Sequence, residues 1–335
     1  MSRVNFHKMA VCTALAISLG SASWAGAAEP TVAQPTNGNV APGAKDNFDP
    51  VYNVCRGPDP RCYNPWVENR QNKVLIYTRT AGPRHANLGP ALAAGKNPPL
   101  AAGNVVQNAL IAWLAEQGVA ADWTEDVTQL SNLNQYKAVI FASTSRDTLY
   151  KHGTAIDPTR AVNTTTGAHL DAGRTALRQY IRAGGGFVGI HNAFGTEYNW
   201  PWYEGLLGNA NYYDHGANQN GTVNIVAAAS STAGIGSFAF RDEWYNLVPF
   251  PTRVKFLATV DENTLATRRT THPGHGDFHP VAWCQYYDGG RAWLTTLGHD
   301  GQAFTDGSNF PGQAAFKKLI VNGILSAMGN QPFCQ

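Results

Sequence analysis

Apolar residues in the first half of the chain form short unbroken runs, and these runs alternate with segments in which apolar residues recur at helical spacing. Runs of this kind are typical of strands that are buried on both faces. The predicted strands are 73–78, 121–126, 136–142 and 187–190, and the predicted helices are 104–117 and 171–183. Because strands alternate with helices, the pattern predicts an α/β fold whose central sheet is mainly parallel.

The pattern changes after residue 191, where polar loops and aromatic residues separate the apolar runs. Asp288-Gly289-Gly290 supplies residues that suit a tight hairpin turn between two such runs. The elements predicted here are strands near 222–227 and 254–260, a β-hairpin of 281–287 and 291–297, and an amphipathic helix over 313–328. We therefore expect the sheet to be completed by a C-terminal β-hairpin plus helix.

The first 27 residues have the pattern of a secretory signal peptide. Arg3 and Lys8 precede an apolar stretch over 9–19, and small residues at 25–27 form a cleavage site. The apolar stretch is shorter than a membrane span, although an uncleaved anchor is the alternative interpretation. We expect a secreted or periplasmic protein with no stable membrane anchor after signal cleavage.

The residues after the signal divide into two parts. Residues 28–72 are rich in Pro, Asn and Gly and have no helical or strand period, which predicts an irregular extension that includes a cysteine loop. Residues 73–330 contain the predicted strands and helices, so we interpret them as the folded domain.

The charge of the chain argues against two classes of partner. The sequence has 25 Lys and Arg against 23 Asp and Glu, and loss of Arg3 and Lys8 with the signal would leave 23 of each. A near-neutral chain has no basic face for nucleic acid or anionic lipid. The low charge is better suited to a neutral, polar ligand.

The cysteines predict disulfides in an exported chain. Cys12 lies in the signal, which leaves Cys55, Cys62, Cys284 and Cys334. Four cysteines allow three pairings, and proximity alone favours Cys55 with Cys62 and Cys284 with Cys334. A cysteine zinc site is the alternative, but the paired C-x₂-C spacing is missing.

Polar side chains follow several predicted strands at the points where the strands end. His85 lies in the loop after the first strand, and His191 directly follows the fourth. The carboxyl ends of parallel strands meet at one edge of a sheet, where ligands bind. Glycines on both sides of His191 leave room for a ligand to approach. The candidate catalytic residues are His85, His191, Glu243, His279 and His299.

Within this set, His191 is expected to be the central base or a metal ligand, and Glu243 the proton donor. Each has a plain alternative, because histidines often serve as core or capping groups and carboxylates often satisfy backbone N–H groups. A divalent metal such as zinc could be held by His85, His191 and His279. Their spacing matches no compact metal motif, so the sequence leaves the metal open.

Aromatic rings are concentrated in the same half of the chain as Asn, Asp and His side chains, a combination that suits the apolar faces and hydroxyl rims of a sugar. The alternative is that these rings supply core area. The candidate substrate-binding residues are Arg84, Asn192, Glu197, Trp202, Tyr203, Asp214 and His215.

Taken in order, several motifs of the chain resemble the ThuA-like (trehalose utilisation) family. They are GGGFVGIH (184–191), WPWY (200–203), DH (214–215), DEWY (242–245), HPVAW (279–283), GR (290–291) and LGH (297–299). The resemblance extends from about residue 73 to 328. It implies a flavodoxin-like three-layer sandwich similar to that of class I glutamine amidotransferases.

The resemblance also implies a role in disaccharide use, on a trehalose-like or keto-disaccharide as the small neutral substrate. His191 stands where amidotransferases carry a cysteine at the turn after a central strand, so we expect a sugar-processing hydrolase or lyase without a cysteine nucleophile. The alternatives are a non-catalytic carbohydrate-binding protein and a structural module on the same fold. A single chain and a homo-oligomer are both compatible with the sequence.

Overall fold

The computed structural model describes residues 47–66, 70–150, 172–267 and 271–335. The predicted signal peptide and the first part of the predicted extension lie outside these residues.

The described residues contain thirteen strands and four α-helices. The strands are β1 (Phe48–Asp49), β2 (Val54–Gly57), β3 (Gln71–Tyr77), β4 (Ala120–Thr124), β5 (Tyr136–Ala142), β6 (Gly186–Ile190), β7 (Tyr212–His215), β8 (Gln219–Ile225), β9 (Phe238–Asp242), β10 (Tyr245–Leu247), β11 (Lys255–Asp261), β12 (His279–Tyr287) and β13 (Gly290–Thr295). The helices are α1 (Val105–Ala115), α2 (Ala172–Arg182), α3 (Pro201–Leu206) and α4 (Gln313–Ala327).

Five strands form the parallel half of the central sheet, in the order β4-β3-β5-β6-β13. Numbered by their place in the chain, these five have the order 2-1-3-4-5, which is that of flavodoxin-like folds. The predicted α/β fold is confirmed, with a mixed sheet whose core strands are mainly parallel. All five strands point their carboxyl ends to the same edge, so the loops that follow them lie side by side.

The other half of the sheet is antiparallel. β13 pairs with β12 in the predicted hairpin, and β11, β8 and β9 continue the sheet outward. β7 and β10 form a separate two-stranded sheet, in which Tyr245 lies opposite His215. The central sheet is thus extended by strands whose ends can bring further side chains to the edge where the parallel strands finish.

Side chains of the central strands pack alternately into two cores. Val74 and Ile76 of β3 face the core that contains Trp113 of α1 and residues of α4. Leu75 and Tyr77 of the same strand face the second core, which contains residues of α2 and α3. Because successive side chains of a strand point to opposite faces, this division shows that helices cover both sides of the sheet. The three-layer sandwich is therefore confirmed.

The predicted extension contains regular structure that its sequence did not indicate. β2 is fully buried and pairs with the end of β12, where Gly57 lies opposite Tyr286. The segment Val54–Gly57 has no apolar-polar alternation, so its extended form depends on this pairing rather than on local preference.

Both predicted disulfides are present. Cys55 is bonded to Cys62, and Cys284 of β12 is bonded to Cys334 beyond α4. The second bond holds the end of the chain against the sheet. No helix of the described residues is both long and apolar enough to cross a bilayer.

The two disulfides are expected to differ in their effect on stability. They close loops with sequence separations of 50 residues for Cys284–Cys334 and 7 for Cys55–Cys62. Loop-closure entropy gives about 4 kcal/mol for the long loop and about 2 kcal/mol for the short one. Replacing each pair by alanine and measuring the free energy of unfolding in guanidinium chloride should reproduce this order. Equal losses, or a larger loss for the short loop, would contradict it.

Candidate functional site

The turn after β6 places a histidine at the carboxyl edge of the sheet. His191 is fully buried and has φ of +51°, a left-handed conformation that is rare outside glycine. Such a residue costs about 1–3 kcal/mol and persists only where its surroundings hold it. The neighbouring glycines serve packing, because a Cβ on Gly189 would lie 2.9 Å from Leu294 and one on Gly195 would lie 2.2 Å from Asn192. Packing alone therefore explains these two glycines, and the expected ligand approach stays a prediction.

Hydrogen bonds fix the tautomer of His191. Its Nδ1 lies 2.8 Å from the carbonyl oxygen of Thr296, which directly follows β13. A carbonyl can only accept, so Nδ1 carries the proton. Burial holds the pKa of His191 well below its usual range, and the ring is therefore neutral. Nε2 consequently presents a lone pair, 2.9 Å from the hydroxyl of Tyr245.

His85 is brought against His191 from the loop after β3. The two Nε2 atoms lie 3.1 Å apart, which confirms by geometry that loops after two parallel strands meet at this edge. Burial, and then the positive charge of His299, lower the pKa of His85 to about 4. Nδ1 of His85 is buried and makes no hydrogen bond within the described part of the chain.

Glu243 and His299 form an ion pair on the other side of His191. Oε2 of Glu243 lies 3.0 Å from Nδ1 of His299 and 3.9 Å from Nε2 of His191. Burial disfavours the charge on both partners, but their hydrogen bond offsets it, so the pKa of His299 is raised and that of Glu243 is lowered. These directions place the shared proton on His299, whereas Glu243 was predicted to be the proton donor.

Asp242 holds the backbone of this pair. Its carboxylate is fully buried and accepts N–H groups of Gly298 at 2.7 Å, His299 at 3.2 Å and Glu243 at 2.8 Å. Burial raises the pKa of Asp242 to about 7, and the N–H donors oppose that rise. One side chain from the end of β9 therefore positions two members of the site.

His85, His191, Glu243 and His299 together form what we call the His/Glu cluster. Their ligand atoms all lie within 4.8 Å of one another, so they can hold a metal ion. His85 and His299 also line a cleft of about 380 Å³, together with Arg84, Asn87 and Asp300. That volume lies within the range of small-molecule sites. The cluster is therefore accessible to a small ligand through this cleft.

His279 is not brought together with the cluster. Its Nδ1 lies 2.7 Å from a carboxylate oxygen of Glu262, and its Nε2 lies 2.9 Å from the carbonyl oxygen of Tyr245. Both ring nitrogens are thus used within the protein, and the predicted metal role of His279 does not fit this position. His279 instead fixes the backbone of Tyr245, whose hydroxyl reaches His191.

Four of the predicted substrate-binding residues lie at or near the cluster. Arg84 lines the cleft, and His215 lies 3.6 Å from Glu243 through its Nε2. Asn192 follows His191 but donates to the carbonyl oxygen of Thr144, and Asp214 accepts from the amide of Asn246. The first two are therefore the better placed to contact a ligand.

The other three predicted substrate-binding residues are buried and have structural contacts. Glu197 pairs with Arg174 at 2.6 Å and also accepts the N–H of Leu149. Trp202 donates to Asp288, and Tyr203 donates to the carbonyl oxygen of Ala193. All three are at most 5% exposed, so their burial does not favour the predicted contact with a sugar. They are core residues, which was the alternative interpretation of the aromatic segment.

Comparison with known families agrees with the fold and with the motifs. The sequence model of the ThuA family, described as trehalose utilisation, matches residues 73–326. The chain belongs to the ThuA family. Membership gives this ThuA domain a carbohydrate-related role. None of the curated proteins compared with the chain matches it.

Solved structures similar to this ThuA domain support the fold. A ThuA-like protein from Bacteroides uniformis is 20% identical, with a TM-score of 0.52, and the match covers 76% of this chain and 91% of that one. A ThuA-like protein from Parabacteroides merdae is 15% identical, with a TM-score of 0.53, covering 77% and 90% of the two chains. At these identities the similarity concerns the fold.

Three positioning residues of the ThuA domain were not predicted from the sequence: Asp242, Tyr245 and Glu262. Asp242 and Tyr245 lie in the DEWY motif beside Glu243. The motif therefore indicated this part of the site, but a role was predicted for Glu243 only. Glu262 follows β11 and had no motif of its own. Its role appears only because β11 pairs with β12 and brings it to His279.

The free energy of unfolding should depend on pH through Asp242. Burial raises the pKa of Asp242 to about 7 in the folded domain, whereas an aspartate in an unfolded chain has a pKa of about 3.9, so the ionised carboxylate should cost stability as the pH rises from about 4 to about 7. Asp242→Asn has no carboxyl to ionise and should lose less stability over this range. Asp261→Asn is the matched control and should follow the wild type, since Asp261 only caps a short turn by one bond to Asn263. Free energies of unfolding measured at pH 4.5 and pH 7.5 test this, and an unchanged pH dependence in Asp242→Asn would contradict it.

Proposed function

We propose that this ThuA domain is an exported sugar-processing enzyme, a hydrolase or lyase that acts on a trehalose-like or keto-disaccharide. The observation that carries the proposal is the His/Glu cluster, which stands at the carboxyl edge of the parallel strands and opens into a cleft. That edge is where α/β folds bind their ligands. Family membership supports a carbohydrate-related role, which is consistent with a disaccharide substrate.

The proposed reaction does not use a cysteine thiolate from the described part of the chain. Cys55, Cys62, Cys284 and Cys334 are all bonded in disulfides, so they provide no nucleophile of the amidotransferase kind. His191 occupies the sharp turn after the central strand β6 instead. The proposed reaction is therefore acid-base chemistry rather than covalent catalysis by cysteine.

The cluster contains the two kinds of group that hydrolysis requires, a proton acceptor and a proton donor. In that reaction a water oxygen bonds to the anomeric carbon while the glycosidic C–O bond breaks. One proton leaves the water and one is delivered to the departing sugar oxygen. The His85–His191 pair and the Glu243–His299 pair lie side by side and can perform these two transfers. His191 belongs to the centre of the site as base or as metal ligand.

The charges that line the cleft favour a neutral substrate. Arg84 pairs with Glu125 at 2.9 Å, and Asp300 pairs with Arg241. His299 pairs with Glu243 in the same way. Since each of these charges has a partner, the cleft offers hydrogen bonds without a strong field of either sign, which suits sugar hydroxyls.

Export is supported by the two disulfides. Such bonds form and persist in oxidising compartments and are rare in the cytosol. We therefore propose a secreted or periplasmic location, consistent with the signal-like pattern of the first 27 residues.

The purified full chain should convert at least one member of a panel of trehalose, related disaccharides and their keto derivatives. Glu243→Gln keeps the size of the side chain but removes its charge, and we expect kcat to fall by about 100-fold or more. His191→Ala should have at least as large an effect. Product is measured by mass spectrometry after each variant is shown to fold by thermal unfolding.

His272→Ala is the control, because the ring of His272 packs on Tyr213 and lies outside the cluster. It should keep wild-type turnover. Undiminished turnover in both Glu243→Gln and His191→Ala would contradict the assignment of the site. Calorimetric binding of a sugar that stays unchanged for hours would instead favour a carbohydrate-binding protein.

A further inference from the structure

We propose that His85, His191 and Glu243 bind one divalent first-row transition metal ion, zinc or iron, with a ligand position open toward the cleft. Two imidazoles and one carboxylate are a donor set used by catalytic zinc and by non-haem iron. His299 would remain outside the coordination shell as the hydrogen-bond partner of Glu243. The same donor chemistry serves both metals, and metal analysis distinguishes them.

The Nε2 atoms of His85 and His191 face each other closely. Nε2 of His191 carries a lone pair and lies 3.1 Å from Nε2 of His85 and 2.9 Å from the hydroxyl of Tyr245. With its proton on Nδ1, His85 would turn a second lone pair toward the same point. Neutral imidazole nitrogens bind first-row metal ions through such lone pairs, so an ion between the two rings would be bound by both.

The spacing of the donor atoms also fits a single metal ion. Metal–ligand bonds of 2.0–2.1 Å in a tetrahedron place neighbouring ligand atoms about 3.3 Å apart. The two Nε2 atoms are 3.1 Å apart, and Nε2 of His191 is 3.9 Å from Oε2 of Glu243. Small side-chain adjustments would therefore bring these atoms to bonding distance of one ion.

The protein already orients two of the three proposed ligands. Histidines that bind metals usually donate their other N–H to a carbonyl or carboxylate, and His191 does this to Thr296. Glu243 is held through its backbone by Asp242 and through its carboxylate by His299. Oriented ligands with satisfied outer partners are what a metal site requires.

Binding of the ion would change one contact. The lone pair of His191 Nε2 would go to the metal, so Tyr245 would turn its hydroxyl hydrogen away from that nitrogen. Tyr245 is therefore a competitor for the lone pair and not a ligand. This predicts that Tyr245→Phe keeps the metal, which separates the proposal from a cluster held together by hydrogen bonds alone.

The inference rests on the site assigned in the proposed function, but its test needs no sugar. The full chain is purified without chelator from cells supplied with zinc and iron, and the metal per chain is measured by inductively coupled plasma mass spectrometry. Chelator-treated protein is then titrated with Zn²⁺ and, anaerobically, with Fe²⁺. We expect close to one tightly bound metal per chain.

The variants locate the ion. His85→Ala and Glu243→Gln should each weaken metal binding by more than tenfold. Tyr245→Phe should bind at least as tightly as the wild type, and the distant His272→Ala should bind as the wild type does. Co²⁺ added to the chelator-treated wild type should give visible d–d bands that the His85→Ala variant lacks. Thermal unfolding shows whether each variant is folded. Because two ligand variants are tested, the experiment still decides the question if one of them fails to fold.

Two results would overturn the proposal: chelator-treated wild type that binds neither ion, or folded His85→Ala and Glu243→Gln variants that bind metal as the wild type does. A metal-bound protein that converts no sugar would retain the metal site and remove the enzyme. Full sugar turnover by metal-free protein would keep the enzyme and show that the reaction does not need the ion.

Discussion

The site depends on one constraint, the hydrogen bond from His191 Nδ1 to the carbonyl oxygen of Thr296 across the ends of two adjacent parallel strands. It ties the left-handed turn after β6 to the segment that follows β13, and so helps to hold a backbone conformation that would otherwise be unfavourable. The same bond aims Nε2 at His85. This hydrogen bond therefore fixes the two strand ends, the tautomer of His191 and the direction of its Nε2 lone pair together.

Behind this bond lies a layer of groups that support the His/Glu cluster, directly or through Tyr245, without belonging to it. Asp242 gathers the backbones around Glu243 and His299, while Glu262 and His279 fix the backbone of Tyr245. These residues come from the antiparallel half of the sheet. The parallel strands therefore supply the central histidines, and the antiparallel strands supply the carboxylate and its supports.

Local pattern predicted much of the fold. The seven residues of β5 match the predicted strand, and the hairpin of β12 and β13 follows from its turn residues. The sequence also placed His85 and His191 at the same edge of the sheet, because both follow parallel strands, but it did not show that they meet. It could not separate His299, which joins the cluster, from His279, which does not, since both flank the same hairpin. That difference arises from pairing between β11 and β12 and between β7 and β10, contacts that no local pattern specifies.

The most direct test of the account is the tautomer of His191 in chelator-treated protein. The ¹⁵N chemical shifts of the imidazole nitrogens, measured at pH 7.5 on histidine-labelled protein and assigned with a His191→Asn variant, report which nitrogen carries the proton. The account predicts a neutral ring with the proton on Nδ1 and a lone pair on Nε2. A proton on Nε2 would contradict it, because the bond to Thr296 would be absent and the cluster would have no lone pair at its centre.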